Sequence, residues 1–190
     1  MTKAIDLHTR FKKEIAPKLK DTLGTKNIMA VPKVTKVTIN AGIGTYVKTH
    51  SKDHATVVEN LAKIGGQRPV VTKSRKAISN FKVKEGEIIG VMVTLRGKRM
   101  YDFLNKLVNI VFPRVRDFRG ITPRAFDGKG NYSIGFKEHI VFPEISPDDV
   151  IKIHPLQVCI TTSAKDNKEG YELLKAMGFP FKAEKAPKNQ

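Results

Sequence analysis

Polar and apolar residues alternate along residues 36 to 41, KVTINA. The odd positions carry valine, isoleucine and alanine, while the even positions include Thr38 and Asn40. Side chains of an extended chain point alternately to opposite faces, so this pattern predicts a strand with one buried face and one open polar face.

A second alternating stretch, residues 81 to 96, predicts a hairpin that turns at Gly86-Glu87. Its second strand should place Val91, Val93 and Leu95 inward and Thr94 and Arg96 outward. Shorter strands are predicted at three further places: residues 68–73, 131–136 and 156–163.

Helical spacing of apolar residues predicts helices over 51–64, with Ser51 as N-cap, and over 98–112 and 165–177. Residues 3 to 23 should form two short helices, because Pro17 removes a helical hydrogen bond and favours a helix start. Together these elements predict an α+β fold: an antiparallel sheet with helices packed on one face and one long basic hairpin loop. Residues 1–182 are expected to form one domain, followed by a flexible basic tail over 183–190.

The net charge is the property of the sequence that says most about its binding partners. The chain has 190 residues, 35 Lys and Arg against 18 Asp and Glu, and a formal net charge of +17. Such an excess destabilises a compact protein through self-repulsion unless a polyanion offsets it, and nucleic acid is the commonest one. With one cysteine, no signal peptide and no long apolar stretch, the chain is expected to be cytoplasmic and to bind no membrane.

Gly42-Ile43-Gly44 follows the first strand and suggests a nucleotide-binding loop. A dinucleotide fingerprint needs a third glycine three residues later, where this chain has Val47, and a P-loop needs Gly-Lys-Ser/Thr. The glycines are therefore interpreted as a bend at a strand end, and no cofactor is expected.

The sequence offers little support for a metal site or a catalytic group. Asp127 to Glu138 spans twelve residues like a calcium loop, but it has Lys129 at the third position and Tyr132 where glycine is required. An RNP1 motif beginning at Lys129 fails because Asn131 and Ser133 replace its aromatics. Cys159 is interpreted as a packing residue and the five histidines as surface residues, so the sequence predicts neither a metal site nor enzymatic activity. The histidines are His8, His50, His54, His139 and His154.

Basic residues concentrate in two segments that also contain an aromatic residue. TKSRKAISNFKVKEG, residues 72 to 86, is predicted to be a long, weakly structured loop that reaches along phosphates and offers Phe81 as a stacking platform. PRVRDFRG, residues 113 to 120, sets Arg114, Arg116 and Arg119 around Phe118, with Asp117 placed to pair with one of these arginines.

Taken in order, several long motifs resemble the bacterial large-subunit ribosomal protein L5 family. They are VTINAGIG, GGQRPVVTKSRKAISNFKVKEG, IGVMVTLRGKRMYDFL, PRVRDFRG, FDGKGNYSIGFKEHIVFPEI and TTSAKDNKEGYELLKAMGFPF. The resemblance covers roughly residues 5 to 182 and agrees with the predicted fold.

The resemblance implies that the chain binds 5S rRNA and attaches it in the central protuberance of the large subunit. Family contact positions match Asn40, Gln67 and Thr94, and strand alternation adds Thr38 and Arg96 to the same open face. Further RNA contacts are expected at Arg114, Arg116 and Arg119.

The resemblance also implies contacts beyond 5S rRNA. A loop over Lys73 to Lys84 should contact P-site tRNA, and residues 142–155 should contact a small-subunit head protein across an intersubunit bridge. Large-subunit rRNA and neighbouring central-protuberance proteins are further expected partners. Two other classes of protein remain as alternatives. One is a nucleotide-dependent enzyme that uses Gly42-Ile43-Gly44, and the other is a regulatory module that binds RNA or DNA away from the ribosome. The expected tRNA-contacting cations are Lys73, Arg75, Lys76, Lys82 and Lys84.

Overall fold

Five antiparallel strands form one sheet in the computed structural model, which describes residues 7–44, 54–146 and 153–182. Their order across the sheet is β2-β3-β1-β5-β4. The predicted α+β class and antiparallel sheet are confirmed. The strands are β1 (Val34–Gly42), β2 (Val70–Lys73), β3 (Ile88–Leu95), β4 (Tyr132–Phe136) and β5 (Leu156–Thr162).

The helices lie close to their predicted positions. The predicted N-cap Ser51 and the predicted tail, residues 183–190, lie outside the described residues. Single 3₁₀ turns occur at Ile28–Ala30, Pro123–Ala125 and His139–Val141. The α-helices are α1 (Leu7–Arg10), α2 (Ala16–Leu23), α3 (Ala55–Gly65), α4 (Gly97–Lys106), α5 (Phe112–Arg114) and α6 (Asn167–Ala176).

Two of these helical segments contain a π-helical turn immediately before a proline. Phe11–Ile15 joins α1 to α2 ahead of Pro17, and Leu107–Val111 joins α4 to α5 ahead of Pro113. A proline ring inside a helix clashes with the carbonyl four residues earlier, and the wider π turn moves that carbonyl away. The helical backbone therefore continues past both prolines, where the sequence predicted a helix break.

The chain divides into two compact units. The first comprises the described parts of Met1–Val37, Arg96–Ile134 and Cys159–Gln190, and the second those of Thr38–Leu95 and Gly135–Val158. Whether residues 1–182 behave as one domain stays a prediction.

In the second unit, α3 packs on β3. Val57, Leu61 and Ile64 are its buried residues, and a Cβ added to Gly65 would lie only 3.0 Å from Val93 Cγ1. Helical spacing also groups Ala55 with Leu61 and Ala62, but Ala55 is exposed. The observed face carries larger side chains and so removes more apolar area from water.

Two histidines are buried in the second unit, contrary to the surface location predicted from sequence. The rings of His139 and His154 stack in parallel with their centroids 3.9 Å apart. The backbone N–H of His154 donates to His139 Nδ1 at 3.2 Å, and the amide of Asn60 lies 3.4 Å from His139 Nε2. Burial lowers the pKa of both imidazoles, and for His154 the neighbouring His139 adds to the effect, bringing its pKa to about 4.

The buried pair should make the protein less stable in mild acid. The unfolded state binds a proton near the usual histidine pKa of 6.5, whereas folded His154 resists protonation down to about pH 4. Stability is therefore fully present above pH 6.5 and decreases as pH falls from 6.5 to 4, by about 3 kcal/mol for this one group. Urea unfolding at several pH values measures this directly.

His154→Asn is the matched variant, because it keeps a short polar side chain without an imidazole. It should be less stable at pH 7.5 but show a shallower loss of unfolding free energy between pH 6.5 and pH 4. An unchanged pH dependence in His154→Asn would contradict this assignment.

Candidate RNA-binding surface

The open face of β1 carries polar side chains, as its alternation predicts. Val37, Ile39 and Ala41 are fully buried, whereas Thr38 and Asn40 are half-buried on the opposite face. On β3, Val91, Val93 and Leu95 are buried; of the alternate residues, Met92 is exposed and Thr94 half-buried, while Gly90 is buried. The two central strands therefore bury one face and present the other.

Asn40 of β1 and Thr72 of β2 both lie near Gly90 of β3. A Cβ built on Gly90 would lie 2.7 Å from Thr72 Oγ1, 3.3 Å from the Ala41 carbonyl oxygen and 3.9 Å from Asn40 Oδ1. Gly90 pairs with Thr72 in the β2–β3 ladder and β3 lies between β2 and β1, so polar groups of both flanking strands approach this glycine. Sequence reasoning did not select Thr72, because its face depends on knowing the partner of β2.

The other predicted contact residues lie further along the surface. Thr94 is half-buried four positions beyond Gly90 on β3, about 13 Å away at the usual rise of a strand. Gln67 is exposed just after Gly66, whose φ of 61° ends α3. Arg96 is exposed directly after β3 and belongs to the first unit.

Apolar side chains interrupt this polar surface between its two ends. Val70 of β2 pairs with Met92 of β3, and their exposed fractions are 61% and 37%. An open face that mixes amide, hydroxyl and apolar groups is suited to the riboses and bases of RNA as well as to its phosphates.

The polar side chains of this face have no hydrogen-bond partner among the described residues. Thr35 at the start of β1 is a useful contrast, because its hydroxyl donates to the carbonyl of Thr161 at 3.0 Å. Polar groups without internal partners are suited to bind water or another molecule. Those on the open face are Thr38, Asn40, Thr72 and Thr94.

The basic hairpin is built on β2 and β3, and this corrects the predicted pairing. Val70 pairs with Met92 and Lys73 with Ile88, so the first strand of the hairpin is β2 rather than residues 81–85. Two backbone bonds extend the ladder beyond β2, from Ser74 N–H to the Glu87 carbonyl (2.8 Å) and from Gly86 N–H to the Ser74 carbonyl (3.0 Å). β3 pairs with β2 instead of with residues 81–85, and this pairing adds β2 as a further strand to a continuous sheet.

Residues 75–85 form an ordered loop, contrary to the predicted weak structure. Ile78 and Val83 exchange two backbone hydrogen bonds of 2.9 and 3.2 Å, and Lys82 N–H donates to the Ser79 carbonyl at 2.9 Å. This small turn holds Phe81 at the tip with 70% of its surface exposed. A preformed loop loses less conformational entropy when it binds.

The cations of this hairpin are all exposed. Lys73 is the last residue of β2, whereas the sequence placed it in the loop. Among the described residues these side chains make no ion pair, so their charge is available to an external anion. They are Lys73, Arg75, Lys76, Lys82 and Lys84.

In the first unit, the arginine-rich loop after α5 is anchored by its aromatic residue. Phe118 stacks on Phe112 with ring centroids 5.1 Å apart, so one face of Phe118 serves packing. Asp117 has φ of 52° and makes no ion pair with any described residue, so its predicted pairing with an arginine is wrong. The loop exposes Arg114, Arg116 and Arg119.

The calcium-like segment is a self-contained turn. Asp127 Oδ1 accepts the backbone N–H groups of Lys129 and Asn131 at 2.9 and 3.0 Å, and Asp127 Oδ2 accepts the Asn131 side chain. Asn167 Oδ1 accepts two more N–H groups, from Gly128 and Gly130. These bonds occupy the carboxylate and fix the entry into β4.

Gly42-Ile43-Gly44 continues the sheet instead of holding a phosphate. Ile43 is fully buried and its N–H donates to the Ile89 carbonyl at 3.0 Å. The residues that follow, 45–53, lie outside the described ranges. They include His50, for which a surface location was predicted. Cys159 is half-buried on the face of β5 opposite to that of the buried Val158 and Ile160, and its role as a packing residue stays a prediction.

Sites of two other kinds are absent from the described ranges. These ranges contain no group of three or more His, Cys, Asp or Glu side chains placed to hold a metal ion. No helix within them has the length and apolarity needed to cross a membrane.

Two family models match consecutive parts of the chain. The model described as Ribosomal protein L5 matches residues 27–84, and the model for the C-terminus of the same ribosomal protein family matches residues 88–181. Their junction falls at the end of the basic loop, just before β3 begins.

Curated relatives that bear the name large ribosomal subunit protein uL5 match this chain over nearly their whole length, as three of them show. The protein from Halothermothrix orenii is 54% identical over 92% of this chain and 97% of its own length. The one from Desulforapulum autotrophicum is 56% identical over 93% and 98%, and the one from Synechocystis sp. is 51% identical over 93% and 98%. With both family models and such identity across the whole matched length, this chain belongs to the ribosomal protein L5 family.

Proposed function

We propose that this chain binds 5S rRNA through the open face of β2, β3 and β1 and attaches it in the central protuberance of the large ribosomal subunit. As a member of its family the chain is a structural constituent of the large subunit and not an enzyme. Its place is the ribosome, which in bacteria lies in the cytoplasm.

The observation that carries this proposal is the set of polar side chains on the open face of the sheet that have no hydrogen-bond partner among the described residues. Thr38, Asn40 and Thr94 are held by strands whose other faces are fully buried, so their positions are fixed before binding. Preorganised polar groups add specificity at low entropic cost. Gln67 and Arg96, both exposed, are proposed to extend this contact.

Affinity and specificity would come from different residues. Lysines and arginines neutralise phosphates and release counterions, which gives salt-dependent binding that is nearly independent of sequence. Uncharged groups such as Asn40 and Thr94 hydrogen-bond to ribose hydroxyls and base edges of a folded RNA.

The basic loop is proposed to contact P-site tRNA. Its tip presents Phe81 beside Lys82, a pairing of aromatic surface and charge that suits a nucleic-acid backbone with exposed bases or riboses. The antiparallel pairing of Ile78 with Val83 holds the two sides of the tip together. The exposed Arg114, Arg116 and Arg119 are proposed to contact large-subunit rRNA.

Contacts with other proteins are also part of the proposal. A bridge to a small-subunit head protein is proposed at residues 142–155, of which 147–152 lie outside the described ranges. Ile153, at the edge of this segment, has 52% of its surface exposed and is an apolar anchor for such a contact. Neighbouring proteins of the central protuberance are further proposed partners.

Removing uncharged groups should weaken 5S rRNA binding without changing its salt dependence. Asn40→Ala and Thr94→Ala should each reduce affinity roughly tenfold, since each loses hydrogen bonds but no charge. Filter binding of 5S rRNA over a series of salt concentrations should show a lower affinity and the same log–log slope.

Thr35→Val is the matched control, because the Thr35 hydroxyl is already bonded to Thr161 and not available to RNA. It should bind 5S rRNA like the unaltered chain. Normal affinity in a folded Asn40→Ala/Thr94→Ala double variant would refute the site. Failure of the unaltered chain to sediment with large subunits would instead favour a regulatory module that acts away from the ribosome.

Loop charges should matter for tRNA and not for 5S rRNA. Large subunits assembled with the Arg75→Ala/Lys76→Ala/Lys82→Ala variant should contain normal amounts of 5S rRNA. They should bind P-site tRNA severalfold more weakly, with the difference shrinking at high salt because the lost contacts are ionic. Subunit composition and equilibrium tRNA binding at two salt concentrations measure both effects.

A control with the same change of charge is Lys12→Ala/Lys13→Ala/Lys18→Ala, whose exposed lysines lie on the N-terminal helical segment. It should leave tRNA affinity unchanged. Equal losses in both triple variants would show that net charge, and not the loop, governs tRNA binding.

A further inference from the structure

Gly90 occupies an interior position of β3 where its backbone does not require glycine. Its φ lies outside the positive range, unlike that of Gly86 or Gly66. Glycine in a strand interior gives up side-chain packing and raises the entropy lost on folding. The requirement for glycine must therefore come from its neighbours.

Those neighbours are the Thr72 hydroxyl on β2, and the Ala41 carbonyl and the Asn40 side chain on β1. A Cβ at Gly90 would lie 2.7 Å from Thr72 Oγ1, nearer than real Cβ contacts occur, 3.3 Å from the Ala41 carbonyl oxygen, and 3.9 Å from Asn40 Oδ1, which is an ordinary contact. The missing Cβ lets the Thr72 hydroxyl lean over β3 toward Asn40. Both oxygens thus lie within 4 Å of one point on the open face.

We infer that Thr72 is a second RNA-contacting residue and that Gly90 is a positioning residue, so that the Thr72 hydroxyl and the Asn40 amide bind one and the same nucleotide. The inference rests on the proposed binding of 5S rRNA to this face. A hydroxyl and a carboxamide can each donate and accept hydrogen bonds, which suits a ribose hydroxyl or a base edge.

Surrounding charge and surface favour RNA as the occupant. Thr72 is followed directly by the exposed Lys73, and the basic loop begins at the same end of the sheet. The next row along the face is the exposed Val70–Met92 pair, which offers apolar surface to a ribose or base. Neither Thr72 nor Asn40 makes a side-chain hydrogen bond to any other described residue, so binding would not have to break an internal contact.

Thr72→Val and Thr72→Ser separate the hydroxyl from the shape of the side chain. Valine keeps the shape and suits a strand but has no hydroxyl, so 5S rRNA affinity should fall roughly tenfold with an unchanged salt slope. Serine keeps the hydroxyl and should bind within about twofold of the unaltered chain, on the same reasoning. Urea unfolding should show that both variants are folded.

Gly90→Ala tests the positioning role through coupling. If Gly90 acts by placing the Thr72 hydroxyl, Gly90→Ala should weaken binding in the unaltered chain but add little loss in the Thr72→Val background. Fully additive losses would overturn the role of Gly90, and normal binding by Thr72→Val would overturn that of Thr72. If Thr72→Val binds normally and Asn40→Ala still weakens binding, the proposed function stands without this inference. If the unaltered chain does not bind 5S rRNA, both the proposed function and this inference are overturned.

Discussion

Burial of alternate residues on β1 and β3 is the constraint on which the rest of the binding surface depends. Because side chains of a strand alternate between faces, burying Ile39 or Val93 forces Asn40 or Thr94 onto the opposite face. A shift of one residue in register would exchange the two sets and bury the polar groups without partners. The packing that stabilises the sheet therefore also orients the groups proposed to contact RNA.

The same sheet supports the charged hairpin. The pairing of β2 with β3 continues through Ser74 and Glu87, and a second small turn at Ile78–Val83 orders the tip. Repulsion among its exposed cations opposes such a compact loop, and backbone hydrogen bonds hold it nonetheless. The exposed cations follow directly after Thr72 in the chain, so the proposed RNA contact would combine nonspecific attraction with specific hydrogen bonds.

Away from this surface, several features reconcile local sequence with the fold. The π-helical turns before Pro17 and Pro113 let helices continue where proline would otherwise end them. The Asp127 turn uses a carboxylate to bind backbone N–H groups, and for that reason it resembles a metal loop in sequence.

Sequence alone determined the features that depend on local periodicity and composition. The strand faces at Thr38 and Asn40, the position of the helix before Pro113 and the basic character of the hairpin follow from spacing and charge, which are local properties. Tertiary structure decided the partner of β3, the burial of His139 and His154, the anchoring of Phe118 and the convergence of Thr72 with Asn40 over Gly90. Each of these depends on residues that are distant in sequence but adjacent in space, and periodicity within one segment contains no information about which segment lies beside it.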